Sequence, residues 1–174
     1  MTADNDDFIR RAQRGDREAF ARVVEEYYGL MFGVASKFCG NRSDAEDVTQ
    51  LACIKLGRSI GQFRFESAFS SWLYRLVINC AKDFVKTQKP LTLEDPPELS
   101  VSSEAEPAVL LRQVLTLVDS MGEGFRAAVT LVMGEGLTHA EAAVILEVKE
   151  STVSWRLHEV RKRLQANSQL EGGV

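Results

Sequence analysis

Between residues 138 and 164 the apolar positions of THAEAAVILEVKESTVSWRLHEVRKRL fall at helical spacing. Val153, Leu157, Val160 and Leu164 recur at intervals of four, three and four, which is one stripe of a helix. At about 100° per residue, Ser151, Trp155, His158 and Lys162 point the opposite way. Ahead of them, Ala142, Ala143, Ile145 and Leu146 give a shorter helix its apolar side. Thr138 and Glu141 open that helix as a capping box, which satisfies two backbone donors at its start. Two short helices joined by a tight turn, the second with a polar and basic outer face, predict a helix-turn-helix with a recognition helix. A stripe of this kind also fits any helix pair in a bundle. The short turn and the cations Arg156, Arg161, Lys162 and Arg163 tilt the reading towards DNA, although cations also suit a helix C-terminus.

The same periodicity organises the first half of the chain. It predicts a short helix over 7–14 and a long one over 17–39, capped by Asp16 and faced by Phe20, Val23, Val24, Tyr27, Met31, Val34 and Phe38. A turn at Asn41 and Arg42 follows. Ser43 with Glu46 predicts another capping box, and Asp44, Glu46 and Asp47 fall where a helix dipole favours acids. Val48, Leu51, Ala52 and Leu56 carry the expected buried side to about Ser59. IGQFRFES, 60–67, reads as a loop, and a helix over 68–87 places Phe69, Trp72, Leu73, Leu76, Cys80 and Phe84 on one side. In the second half, helices are predicted at 107–118, opened by Pro107, and at 121–134, with Ser120 and Glu123 as a capping box. Gly134 and Gly136 break the chain, and residues 167–174 are expected to fray.

Between the halves, KPLTLEDPPELSVSSEAE has no apolar period, holds three of the four prolines and sets five acids against Lys89. It reads as an acidic, flexible linker. The expected fold is all-α: two small helical domains, 1–88 and 107–174, joined by the linker 89–106.

Composition narrows the function. With 174 residues and 45% apolar content the chain can bury one or two small cores. No apolar run is long enough to span a membrane, and the polar N-terminus shows no secretory signal. Three widely spaced cysteines suit a reducing cytosol better than a disulfide frame. Two histidines and no Cys/His cluster give no metal site, and no Gly-rich phosphate loop or nucleophile motif is visible. No cofactor, catalytic residue or enzyme activity is expected. The net charge of −4 is awkward for a free-standing DNA binder, because phosphate neutralisation supplies most non-specific affinity. A larger partner would have to contribute.

Three segments in order, SDAEDVTQ (43–50), FRFESAFSSWLYRLVIN (63–79) and TVSWRLHEVRKRL (152–164), resemble a bacterial sigma factor. The likeness is to the compact extracytoplasmic-function (ECF) group of the sigma-70 family, which keeps region 2, a linker and region 4. The resemblance implies an alternative sigma factor that binds core RNA polymerase in the cytoplasm and directs promoter-specific initiation. Asp44, Glu46, Asp47 and Gln50 match the surface that docks on the clamp of the beta-prime subunit. Region 4 would meet the flap of the beta subunit. Phe63, Arg64, Phe65, Glu66, Trp72, Arg75 and Asn79 match the part that reads and melts the minus-ten element of promoter DNA. Stacking surfaces and hydrogen-bonding groups are what an extruded base requires. For Trp72 and Phe69 core packing is the stronger reading, and for Phe63 and Phe65 the two readings stand level. Ser151, Ser154, Trp155, Arg156, His158, Glu159, Arg161 and Lys162 match the reader of the minus-thirty-five duplex, with Arg156, Arg161 and Lys162 on phosphates. The linker would thread towards the polymerase cleft. An anti-sigma factor is a further implied partner.

Several positions depart from the family pattern. Cys53 and Gly57 are small where bulky residues are usual, which predicts altered packing of the docking helix. Ile78 replaces a common basic residue, Glu147 a common Gly, Lys149 a common Ser and Glu159 a frequent cation. Because Lys149 cannot accept as an N-cap, Ser151 is expected to cap one turn later. The alternative function is a stand-alone helix-turn-helix transcriptional regulator, which would bind duplex operator without polymerase.

Overall fold

A computed structural model describes residues 3–88 and 107–171, and all regular structure in them is helical. The expected linker, 89–106, lies outside the described residues, as do 172–174. The chain separates into two units, Met1–Gln88 and Lys89–Val174.

In the first unit, α1 (Ala3–Gln13), α2 (Arg17–Cys39), α3 (Arg42–Ser59) and α4 (Phe69–Gln88) form a bundle in which α2 packs against the other three. Its core holds Ile9, Val23, Met31, Val34, Val48, Leu56, Phe69, Leu73 and Val77, all essentially inaccessible. Asp16 caps α2 as expected, accepting from the amides of Glu18 and Ala19, and Gly40 ends the helix in the left-handed region at φ 76°. The start of α3 differs from expectation. Asn41 is the cap and accepts from the Asp44 amide at 2.9 Å, so Ser43 lies inside the helix. Glu46 instead accepts from Arg42 one turn back. Leu51 also departs from the expected buried side: it is 45% exposed, while Ala45, Val48, Thr49, Ala52 and Leu56 form the buried stripe.

Two of the family departures receive a packing reason. The Phe20 ring lies 3.3 Å from where a Gly57 side chain would begin, so α2 supplies the bulk that α3 lacks. Ile78 is a core residue, which removes that position from any DNA-facing surface.

The second unit contains α5 (Pro107–Ser120), α6 (Phe125–Val129) with a π turn over Thr130–Gly134, α7 (His139–Leu146) and α8 (Glu150–Glu171). Val118, Phe125 and Val160 pack together with Val114, Met121, Val129 and Leu164 around them. The capping box expected at Ser120 and Glu123 does not form. The Ser120 hydroxyl donates to the Leu117 carbonyl, and Gly124 precedes α6 without a side-chain cap. Arg126 braces this turn from Nη2 to Asp119 at 2.9 Å. The expected helix over 121–134 is thus a short α-helix that widens into a π turn. At the C-terminus, α8 runs as helix to Glu171, past the start of the expected fraying.

Candidate nucleic-acid interface

The helix-turn-helix is held by four local devices. The Thr138 hydroxyl accepts from the Glu141 amide, and Glu141 accepts back from the Thr138 amide at 2.8 Å, so the predicted capping box is complete. The Thr138 hydroxyl also donates to Glu141 Oε2 at 2.7 Å, and that bond, followed by the one from the Thr138 amide, holds the Glu141 carboxyl below its ordinary pKa. Glu147 ends α7 in the left-handed region, φ 56° and ψ 41°, which explains why a Gly is the easier residue there. The Lys149 carbonyl accepts from the Thr152 and Val153 amides, so α8 starts at Glu150 and Ser151 sits within its first turn rather than capping it. His139 Nδ1 lies 2.8 Å from Ser154 Oγ and ties α7 to α8.

Those devices fix which way α8 faces. Val153, Leu157 and Val160 are buried, while Ser151, Trp155, His158, Arg161, Lys162 and Arg163 are exposed. Trp155 is 55% exposed and rests against the Phe125 ring at 5.4 Å, so it is anchored on one side and open on the rest. Two of the residues expected to contact DNA have neighbours within the unit. The Ser154 hydroxyl is engaged by His139. The Arg156 guanidinium lies over Gly124, where an added Cβ would meet its Cζ at 2.5 Å, and the residue is partly exposed. Glu159 is partly exposed.

In the first unit, the segment between α3 and α4 begins with a 3-10 turn at Ile60–Gln62. Phe63 then turns inward, only 5% exposed. It meets Phe65 at 4.7 Å, Phe69 at 5.0 Å and Trp72 at 5.7 Å. Packing decides between the two readings of Phe63: it is the centre of an aromatic cluster and not a free stacking surface. Phe69 is buried and Trp72 half-buried against it. Phe65 is partly exposed with φ 59°, and Arg10 stacks its Cζ 3.9 Å from the ring centre. Arg64, Glu66 and Asn79 are exposed, and Arg75 is partly buried. Gln13 donates its amide to the carbonyls of Ile60 at 2.9 Å and Phe63 at 2.7 Å. Neither Arg10 nor Gln13 carries a sequence signal, because nothing in a helix of mixed polar residues tells which of them reaches a loop fifty positions away.

On α3, Asp44 accepts from Asn41 at 2.7 Å and Glu46 pairs with Arg42, so both acids are engaged locally. Asp47 and Gln50 are exposed, and Leu51 and Ile54 (53% exposed) continue their face at spacings of three, one and three. Ile54 was not singled out by the sequence. Its signal is an apolar residue off the buried stripe of its own helix. Leu51, Ile54, Lys55, Arg58 and Phe84 line a groove of about 540 Å³ between α3 and α4. Among the described residues no three His, Cys, Asp or Glu side chains gather as a metal ion would need, and no helix is long and apolar enough to cross a membrane.

Comparison with known proteins matches residues 23–90 to the family Sigma-70 region 2 and residues 111–164 to Sigma-70, region 4. The chain is 31% identical to the ECF RNA polymerase sigma-E factor of Haemophilus influenzae, over 90% of its own length and 91% of the relative's. It is also 31% identical to the RNA polymerase sigma-H factor of Pseudomonas aeruginosa, covering 90% and 89%. Its fold is similar to that of CnrH, solved in complex with the cytosolic domain of CnrY (TM-score 0.66, 22% identity, 96% and 97% covered). It is likewise similar to sigma factor RpoE of Bartonella quintana, solved with the anti-sigma factor NepR (TM-score 0.62, 17% identity, 86% and 96% covered). The chain belongs to the sigma-70 family, among the ECF RNA polymerase sigma factors.

Proposed function

We propose that this alternative sigma factor divides promoter recognition between three surfaces and adds no catalytic step of its own. The outer face of α8, with Ser151, Trp155, His158, Arg161 and Lys162, reads the minus-thirty-five duplex in the major groove. The observation that carries this is the orientation of α8: four devices in and beside the turn bury its apolar stripe and leave that face to solvent. Trp155 offers an apolar surface to a thymine methyl, and the cations suit phosphates. Ser154 and Arg156 act as packing residues behind this face.

The loop at 63–68 and the start of α4 read the minus-ten element as a single strand. Arg64, Phe65, Glu66 and Asn79 supply the contacts, and Phe63, Phe69 and Trp72 support them from below. The exposed face of α3, Asp47, Gln50, Leu51 and Ile54, docks on the beta-prime clamp, while the second unit meets the beta flap. The apolar part adds buried area to what the acids supply.

The polymerase is required on energetic grounds. Opening about ten base-pair steps costs on the order of 14 kcal/mol. Capture of a few flipped bases offsets only part of it. The protein acts in the cytoplasm, where polymerase and promoters are. We infer an anti-sigma protein as a further partner, as is common in the family.

Run-off transcription on a library of promoter-like DNA, with purified core polymerase and with or without the protein, tests the reading. Initiation from a defined subset only in its presence is the expected result. Tight duplex binding by the protein alone, with no initiation, would replace it with the stand-alone regulator.

A further inference from the structure

The loop between α3 and α4 contains one costly backbone conformation. Phe65 has φ 59°, a conformation that L side chains adopt only when their surroundings impose it. With that kink, Arg64 and Glu66 both face solvent while the Phe65 ring turns back towards Phe63. The loop's outward polar pair therefore depends on whatever keeps Phe65 in place.

Two residues of α1 do so. Gln13 donates to the carbonyls of Ile60 and Phe63, which fixes the entry to the loop across 47 and 50 residues of chain. Arg10 lays its guanidinium on the Phe65 ring at 3.9 Å, a cation–π distance. Gln13 is partly buried and pairs with two backbone acceptors; the Ile60 carbonyl also accepts from the Phe63 amide, so loss of Gln13 leaves the Phe63 carbonyl to be satisfied in some other way. Both residues precede residue 23, where the match to Sigma-70 region 2 begins.

We infer that Gln13 and Arg10 are positioning residues for promoter recognition: α1 is a brace that sets the conformation of the base-reading loop and thereby its selectivity for the minus-ten element. This rests on the assignment of that loop as the minus-ten reader. Neither residue has to touch DNA. The brace acts by selecting one backbone conformation at Phe65, and with it the directions of Arg64 and Glu66. A looser loop presents several arrangements, and a base pocket that samples several shapes discriminates less between bases.

The test compares the wild-type protein with Q13A, R10A, R10K and R10M, each as full chain with core polymerase, in initiation from a library randomised separately in the minus-ten and minus-thirty-five elements. Binding to core and thermal melting are measured in parallel. The expected result for Q13A and R10A is a flattened base preference in the minus-ten element and about tenfold weaker initiation at the preferred sequence. The minus-thirty-five preference and the affinity for core should stay as in wild type. R10K should restore part of the preference because it keeps a cation over the ring. R10M keeps an aliphatic stem without the charge and should not, which also covers the case that R10A folds poorly. An unchanged minus-ten preference in Q13A and R10A overturns the inference. So does a uniform loss of activity that tracks a lowered melting temperature, because that is plain destabilisation. If the wild-type protein itself shows no base preference in the minus-ten element, the assignment of the loop fails, and that outcome is distinct from a failure of the brace.

Discussion

Glu147 is the residue on which the helix-turn-helix turn hinges, and its backbone is left-handed at φ 56°. An L side chain there costs roughly 1–2 kcal/mol relative to the right-handed region. Glu147→Gly relieves it, and the freer unfolded chain returns part of the gain. The expected net effect is a stabilisation of about 1 kcal/mol, read as a higher urea midpoint. Two carboxylates give the protein an acid limit. The Asp16 carboxyl is held below its ordinary pKa by the Ala19 amide and then by Arg11, and that of Glu141 by Thr138. Because the folded values are depressed, the stability these groups contribute is complete above the unfolded pKa of about 4 and is lost as pH falls through the lower folded values. The melting temperature should therefore drop below about pH 4. Asp16→Asn and Glu141→Gln should flatten that drop, and an unchanged slope in the double variant would refute the assignment.

At the scale of the element, α3 serves two surfaces at once. Val48 and Leu56 face the bundle, and Asp47, Gln50, Leu51 and Ile54 face solvent. Ile54→Glu should weaken binding to core polymerase by about tenfold or more, in keeping with loss of an interface anchor, while the melting temperature moves little. Val48→Glu should instead unfold the first unit, because it buries an unpaired charge. Fluorescence anisotropy of labelled protein against core, beside a thermal melt, separates the two. The contrast also explains what the sequence could and could not tell. The stripe of α8 and the caps at Asp16 and Thr138 were legible because they depend on neighbours three and four residues away. Leu51 is exposed against expectation because an apolar residue beside a stripe reads as part of it until the partner helices are known. Asn41 displaced Ser43 as the cap because both residue types cap well and one position decides. The sequence leaves Phe63 open, since an aromatic in a loop can face either way. Its three aromatic neighbours come from the loop and from α4, and only the fold brings them together. Gln13 and Arg10 were invisible for the same reason.

Over the whole molecule, charge is unevenly shared along the chain. Residues 1–88 hold thirteen basic and twelve acidic side chains, and residues 107–174 hold seven and eight. The net charge of −4 is thus that of residues 89–106, one base against five acids. Neither half repels DNA as a body, and the acid excess sits in one stretch. Replacing Glu94, Asp95, Glu98, Glu104 and Glu106 by Gln or Asn should raise non-specific binding to duplex at low salt and lose that advantage by about 0.5 M, where screening is nearly complete. A filter-binding titration across salt concentrations checks it. If the gain persists at high salt, its origin is not electrostatic.

The chain has two tryptophans, and the fold gives one to each unit. Trp72 lies among Phe63 and Phe69 beneath the loop, and Trp155 stands on the outer face of α8. The molecule therefore carries two built-in fluorophores, one half-sheltered and one largely wetted. Removing either as Trp72→Phe or Trp155→Phe leaves the emission of a single unit. If the proposed division of promoter recognition holds, capture of a melted strand and docking on a duplex are timed separately, without attaching a dye to either surface.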